Sequence, residues 1–155
     1  MMRAFCGAGR LLVVSLILAL LICADVCAGG WSGRVVHVAA GDRLSVDSGA
    51  GTVVVGLAHV RAPAREHFFW ARARRALGEL VFDRRVVVNP LGADAGVLRA
   101  RVMVDGVDVA ALMVERGLLL ADAAAPNAFL VIENAARRQG RGIWGSGLSP
   151  RAGAR

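Results

Sequence analysis

Apolar residues follow three rhythms along this chain: an unbroken run near the start, short β-branched stretches in the middle, and helical stripes in between and at the end. The stretches Arg34–Ala39, Arg43–Asp47 and Thr52–Val60 read as three strands, joined by the turns Ala40-Gly41-Asp42 and Ser48-Gly49-Ala50-Gly51. From Glu66 to Leu80 the period lengthens to that of a helix: Phe69, Ala73, Ala76, Leu77 and Leu80 share one side, and Arg65, Arg72 and Arg75 fall largely on the other. Arg84–Asn89 and Val97–Val104 predict an antiparallel pair connected through the Pro90–Gly96 turn region. Asp105-Gly106 marks a tight turn, after which Asp108 is placed to cap a short helix that stops at Gly117. A last helix is expected from Asn127 to Gln139, with Phe129, Leu130, Val131, Ile132 and Ala136 as its apolar stripe and Gly140 as its end. Five short strands, one helix after the third and further helices after the fifth give an α+β class: a five-stranded Greek-key barrel of OB type with about three helices.

The unbroken run has a different meaning. Arg3 and Arg10 precede the uncharged segment Leu11–Ala24, and Val26-Cys27-Ala28 offers the small residues that signal peptidase needs. Residues 1–28 are therefore expected to be an export signal, 29–147 the folded domain and 148–155 a loose tail. The protein is accordingly expected in the periplasm or outside the cell. An uncleaved membrane anchor is the alternative, although the run is shorter than the ~20 residues that span a bilayer, so no stable span is expected once the signal is removed. Cys6, Cys23 and Cys27 all lie in this segment, leaving the domain no thiol for a disulfide, a zinc site or a nucleophile.

Charge narrows the partners. All 19 basic residues are arginine; without Arg3, Arg10 and Asp25 the domain and tail keep 17 arginines against 11 acids, a net +6. An excess of this size favours nucleic acid, anionic lipid or another polyanion, although a GC-rich genome also produces arginine in place of lysine. The densest group is Arg72, Arg74 and Arg75 with Arg65 and the pair Arg84-Arg85. Such a group is either a solvated helix face or a grip for phosphates that reads no sequence. His37, His59 and His67 show no metal-ligand spacing, and Trp144 reads as a core plug.

Seven landmarks in order carry a resemblance: Val38-x-x-Gly41-Asp42-x-Leu44-x-Val46; Val60-x-x-Pro63; Asp94-x-Gly96; Val104-Asp105-Gly106-x-Asp108-Val109; Leu112-x-x-Glu115-x-Gly117-Leu118; Glu133-x-x-Ala136-Arg137; and Gly142-Ile143-Trp144-Gly145. In these the chain resembles the staphylococcal-type thermonuclease family. The resemblance implies calcium-assisted phosphodiester hydrolysis, with two aspartates and backbone oxygen holding the ion, a glutamate activating water and two arginines on the phosphate. A hard divalent ion and a transition state that gathers negative charge require such a set.

Position by position the set is depleted. The family's "D-G-D-T" loop is matched by Ala40-Gly41-Asp42-Arg43, which keeps Asp42 as the one surviving metal-ligand position, either a vestige of the ion site or now only a turn residue. In the block that the family writes R-L-x-G-I-D-A-P-E, the arginine matches Gly56, the second metal aspartate Arg61 and the glutamate Ala64. The second arginine matches Val97, and the tyrosines that line the family's nucleotide pocket fall near Ala95 and Ala123 in a chain with no tyrosine.

The expectation is therefore an exported thermonuclease-like domain without catalysis and without calcium, binding nucleic acid, another polyanion or an envelope protein, with Arg65, Arg72, Arg75, Arg84 and Arg85 as candidate contacts. The competing expectation is an active calcium-dependent nuclease in which Glu66 and Arg99 have moved into the empty roles. A purely structural role in the envelope is a third possibility, because fold alone does not specify function.

Overall fold

Residues 29–145 are described by the computed structural model; the expected signal at 1–28 and the expected tail at 148–155 lie outside them. Five long strands, β1 (Trp31–Ala40), β2 (Arg43–Asp47), β3 (Thr52–Leu57), β5 (Arg85–Asp94) and β6 (Val97–Val104), carry the fold. They are hydrogen-bonded in the order β3-β2-β1-β5-β6, and a parallel pairing of β3 with β6 returns the last strand to the first. This closes the expected barrel. Two-residue strands β4 (Val60–Arg61), β7 (Val107–Asp108) and β8 (Leu120–Ala121) add a small β4–β8 ladder and an extension beside β6. Three helices complete the molecule: α1 (Phe69–Val81) after β4, α2 (Val109–Glu115) after β7 and α3 (Asn127–Arg138) after β8, followed by a 3₁₀ turn at Gly142–Trp144.

The core is the barrel interior together with the inner sides of the helices. Leu44, Val46, Val55, Leu57, Val88, Ala100 and Val102 point inward from the strands, and Leu77, Val81, Met113 and Leu119 seal them from the helical side. Among the described residues no helix is long and apolar enough to cross a membrane.

Several boundaries depart from the sequence pattern, each for a local reason. The run Thr52–Val60 is not one strand: β3 ends at Leu57, and His59 adopts a left-handed φ of 65° that turns the chain into β4. β5 passes through Pro90 and Gly92 to Asp94 by means of a register shift between those two residues, so the turn is only Ala95-Gly96, both at positive φ. α1 starts at Phe69, three residues later than Glu66, and the His67 ring accepts from the Phe69 amide at 3.2 Å. On α3, Val131 is exposed and Glu133 is buried, so the expected stripe is rotated; Ile143, not Trp144, is the fully buried plug. Trp144 is half-buried, with the Arg137 guanidinium 4.2 Å from its ring centre.

Asp108 caps α2 as its position requires, accepting from the amides of Ala110 at 2.9 Å and Ala111 at 3.2 Å. Asp108→Ala should lower the unfolding free energy by about 1 kcal/mol in urea titration, and Asp108→Asn by much less, because asparagine keeps the acceptor. Equal losses would assign the effect to the ion pair with Arg101 at 3.3 Å instead of the cap.

Candidate functional site

The site that the resemblance marks is assembled from the β1–β2 turn, the end of β3, the β4 segment and β6. Gly41 lets this turn dock on α1: a Cβ there would lie 2.7 Å from the Cβ of Ala73. Asp42 follows, fixed at both ends. Its backbone carbonyl accepts from the Leu57 amide at 2.8 Å, and its Oδ2 accepts from the Ala62 amide at 3.0 Å. Asp42 thus holds the β4 loop against the turn, a bond to an amide 20 residues away rather than one within its own turn.

Parallel pairing sets Gly56 beside Arg99 on one face of the barrel. The missing side chain of Gly56 matters here, because the Arg99 Nη1 lies 3.1 Å from where a Cβ would be, and the Val97 Cγ1 lies 3.2 Å from the same point. Arg99 is held there from two sides: its Nη2 donates to the Val60 carbonyl at 3.1 Å and pairs with the Asp122 Oδ2 at 3.3 Å. Arg99 therefore does reach the place left empty at Gly56, but as half of an internal ion pair. Asp122 was not singled out by the sequence, in which it is a lone acid after four apolar residues; the β4–β8 ladder brings it into place.

Arg61 is exposed and forms no ion pair with any described residue; Ala64 and Glu66 are exposed in the segment before α1, and Glu66 likewise has no described hydrogen-bond or ion-pair partner. Among the described residues no three His, Cys, Asp or Glu side chains are grouped so as to hold a metal ion. The histidines do separate work: His37 lines a groove, the His59 ring stands 5.5 Å from that of Phe129, and His67 precedes α1.

The arginine group of the sequence divides in space. Arg65 and Arg74 approach the Trp70 ring at 5.4 and 5.8 Å, Arg72 approaches Phe69 at 5.5 Å, and Arg75 pairs with Glu79 at 3.0 Å. Arg72 and Arg75 share a hollow of about 480 Å³ with Arg116, a cation that sequence proximity could not connect to them. Arg84 and Arg85 sit beyond the other end of α1, roughly 20 Å from Arg65 by helix length. Arg84 is bound to Asp105 and to the Leu80 carbonyl, and Arg85 lies 3.5 Å from the Ser32 hydroxyl. Arg65, Arg72, Arg74 and Arg75 thus belong to one helix and its approach, whereas Arg84 and Arg85 belong to the start of β5.

Comparison with known proteins agrees with this architecture. The family model described as "Staphylococcal nuclease homologue" matches residues 54–146, from within β3 to one residue past the described chain. No curated protein matches the chain. The matched region includes most of β3, both partners of the Gly56–Arg99 contact and all three helices, and with the closed five-stranded barrel it shows that the chain belongs to the staphylococcal nuclease homologue family.

Proposed function

We propose that this protein is a non-catalytic member of its family, exported from the cell, that binds nucleic acid or a similar polyanion through the arginines of α1. One observation carries the loss of catalysis: the two charged groups best placed to serve a phosphodiester, Arg99 and Asp42, are engaged within the protein. Arg99 is held by Asp122 and the Val60 carbonyl, and Asp42 by the Ala62 amide. Calcium takes six to eight oxygen ligands as a rule, and one carboxylate with an oxygen already committed does not make such a set. The guanidinium at Arg61 worsens the balance, because arginine does not lose its proton and at ~4 Å repels a divalent ion by several kcal/mol even at an effective dielectric of ~20.

Binding is supported by the arrangement of Arg65, Arg72, Arg74 and Arg75 along one helix and its approach, with Arg116 beside them, against the two acids Glu66 and Glu79, of which Glu79 pairs with Arg75. Cations so grouped attract phosphates without reading sequence, and release of counter-ions makes the affinity fall with salt, with a slope of about −0.7 per phosphate contact on a single strand.

The purified protein, incubated with single-stranded DNA and calcium, should retain the DNA at low salt, release it as salt rises and leave it uncut. Calcium-dependent cleavage that disappears in Asp42→Ala would overturn the loss of catalysis. Absence of retention at low salt would overturn the binding role.

A further inference from the structure

β1 pairs with β5 from Trp31 to Arg34, and the backbone of Val35 still bonds to Asp83 and Arg84; beyond Val35 it keeps β2 on one side, and its other edge opens beside α1. A register shift between Val35 and His37 leaves both Val36 and His37 facing outward, and the Arg74 Nε donates to the Val38 carbonyl at 3.0 Å, strapping the helix to this edge. Between strand and helix lies a groove of about 310 Å³ lined chiefly by His37, Val38, Trp70, Arg74, Arg75 and Phe82. None of these residues belongs to the site around Asp42 and Arg99.

The lining has a definite chemistry. It holds two arginines and no carboxylate, and its aromatic residues include Phe82, whose exposure of 58% is unusual for so large an apolar side chain. The Trp70 ring lies within reach of both the Arg65 and the Arg74 guanidinium, so cations and an aromatic face stand together. Gly78 also lines the groove; a Cβ built there meets no atom within 4 Å. Glycine inside a helix costs about 1 kcal/mol relative to alanine, and its effect here is to leave the groove unfilled.

Cations beside flat apolar surfaces suit an anion that carries a ring. A single-stranded nucleic acid supplies both parts, with phosphates for the arginines and unstacked bases for aromatic and guanidinium planes. A base-free polyanion satisfies only the charges, and a duplex hides its bases. The volume is at the lower end of small-ligand sites, which span about 300–1,000 Å³, and so matches one nucleotide unit and not a longer stretch. Resting on the polyanion-binding reading above, we infer that this groove seats one nucleotide of a single-stranded nucleic acid, its phosphate on Arg74 and Arg75 and its base against Trp70 and Phe82.

The test is fluorescence anisotropy of a labelled oligothymidylate with the purified protein and two variants. Gly78→Leu fills the groove with a stronger helix former, and Phe82→Ser removes an exposed ring; neither disturbs a buried contact. Each should weaken oligothymidylate binding about tenfold, in line with the loss of one stacked base. Phe82→Ser should leave competition by inorganic polyphosphate unchanged, and Gly78→Leu should retain or raise the urea midpoint. Salt-dependent oligonucleotide binding that both variants leave intact would overturn the groove while preserving the polyanion reading. No oligonucleotide binding by the parent protein would overturn both, and if phosphatidylglycerol vesicles are bound instead, the exposed phenylalanines and arginines belong to a membrane-facing surface.

Discussion

Gly117→Ala should remove about 3 kcal/mol or more of stability, a large part of the roughly 5–15 kcal/mol that holds a typical domain together. Two effects combine. Gly117 ends α2 at a φ of +66°, with its amide donating to the Val114 carbonyl and the Leu118 amide donating to the Met113 carbonyl, so any side chain there adopts a left-handed conformation costing roughly 1–2 kcal/mol. In addition, the new Cβ would lie 2.2 Å from the Arg141 carbonyl oxygen and 2.7 Å from its carbon. Those are backbone atoms and cannot swing aside as a side-chain end can. The segment would have to back away, breaking the bond from the Ile143 amide to the Gly117 carbonyl at 2.9 Å and drawing the fully buried Ile143 out of the core. Gly142 faces the same contact from the other side, since a Cβ there would lie 2.2 Å from the Gly117 carbonyl oxygen. Gly106→Ala is the internal control: its φ is +79°, but nothing lies within 4 Å of its added carbon, so it should cost only the conformational part, about 1 kcal/mol. Urea titration of both variants separates the two contributions. Equal losses would mean that the Arg141–Ile143 segment does not depend on its approach to Gly117.

That contact illustrates what could be seen in the residue pattern. The barrel strands, the Asp108 cap and the ends of α2 and α3 follow from local signals, namely β-branched runs, an acid before a helix and glycines after helices. What escaped depends on partners distant in sequence. His59 looks like a strand residue by its neighbours, and only the need to turn toward β8 places it at positive φ. Pro90 and Gly92 look like breakers, yet a register shift carries β5 past them. Glu133 falls among the polar positions of α3 by composition, but the packing of α3 rotates it inward to 3% exposure, with no hydrogen-bond partner for its Oε1 among the described residues. At the site, the identities of Gly56, Arg61 and Ala64 can be set against the family pattern position by position. The use of Arg99 is not, because its partner Asp122 stands 23 residues away and the parallel β3–β6 pairing that aims it at Gly56 is a property of the closed barrel.

Gly56→Arg, which places an arginine where the family resemblance expects one, should destabilise the protein by about 2 kcal/mol, and Arg99→Leu in the same molecule should add no further loss and recover up to about half of it. The first carbon of the new side chain would meet the Arg99 Nη1 at 3.1 Å and the Val97 Cγ1 at 3.2 Å, tighter than ordinary contact. Arg99 can move, but moving costs it the Val60 carbonyl and Asp122, and two guanidinium groups would then share one acid. Like charges ~4 Å apart repel by about 4 kcal/mol at an effective dielectric of ~20; with Arg99 28% exposed and the pair partly solvated, about half of this is a reasonable expectation. Arg99→Leu alone should cost about 1 kcal/mol: water can take the place of the donor at Asp122, whose side chain is 34% exposed, whereas the carbonyl of the buried Val60 is left without it. In the double variant the introduced guanidinium has Asp122 to itself, so the two changes should couple favourably by about 1–2 kcal/mol in a double-mutant cycle. Strict additivity would show that Arg99 does not occupy the space above Gly56, and with it would go the reason for regarding the phosphate position as filled from within. A favourable coupling has the opposite consequence: in the parent protein an arginine cannot return to position 56 while Arg99 stays, so a single reversion should give a less stable protein and no gain in phosphate binding.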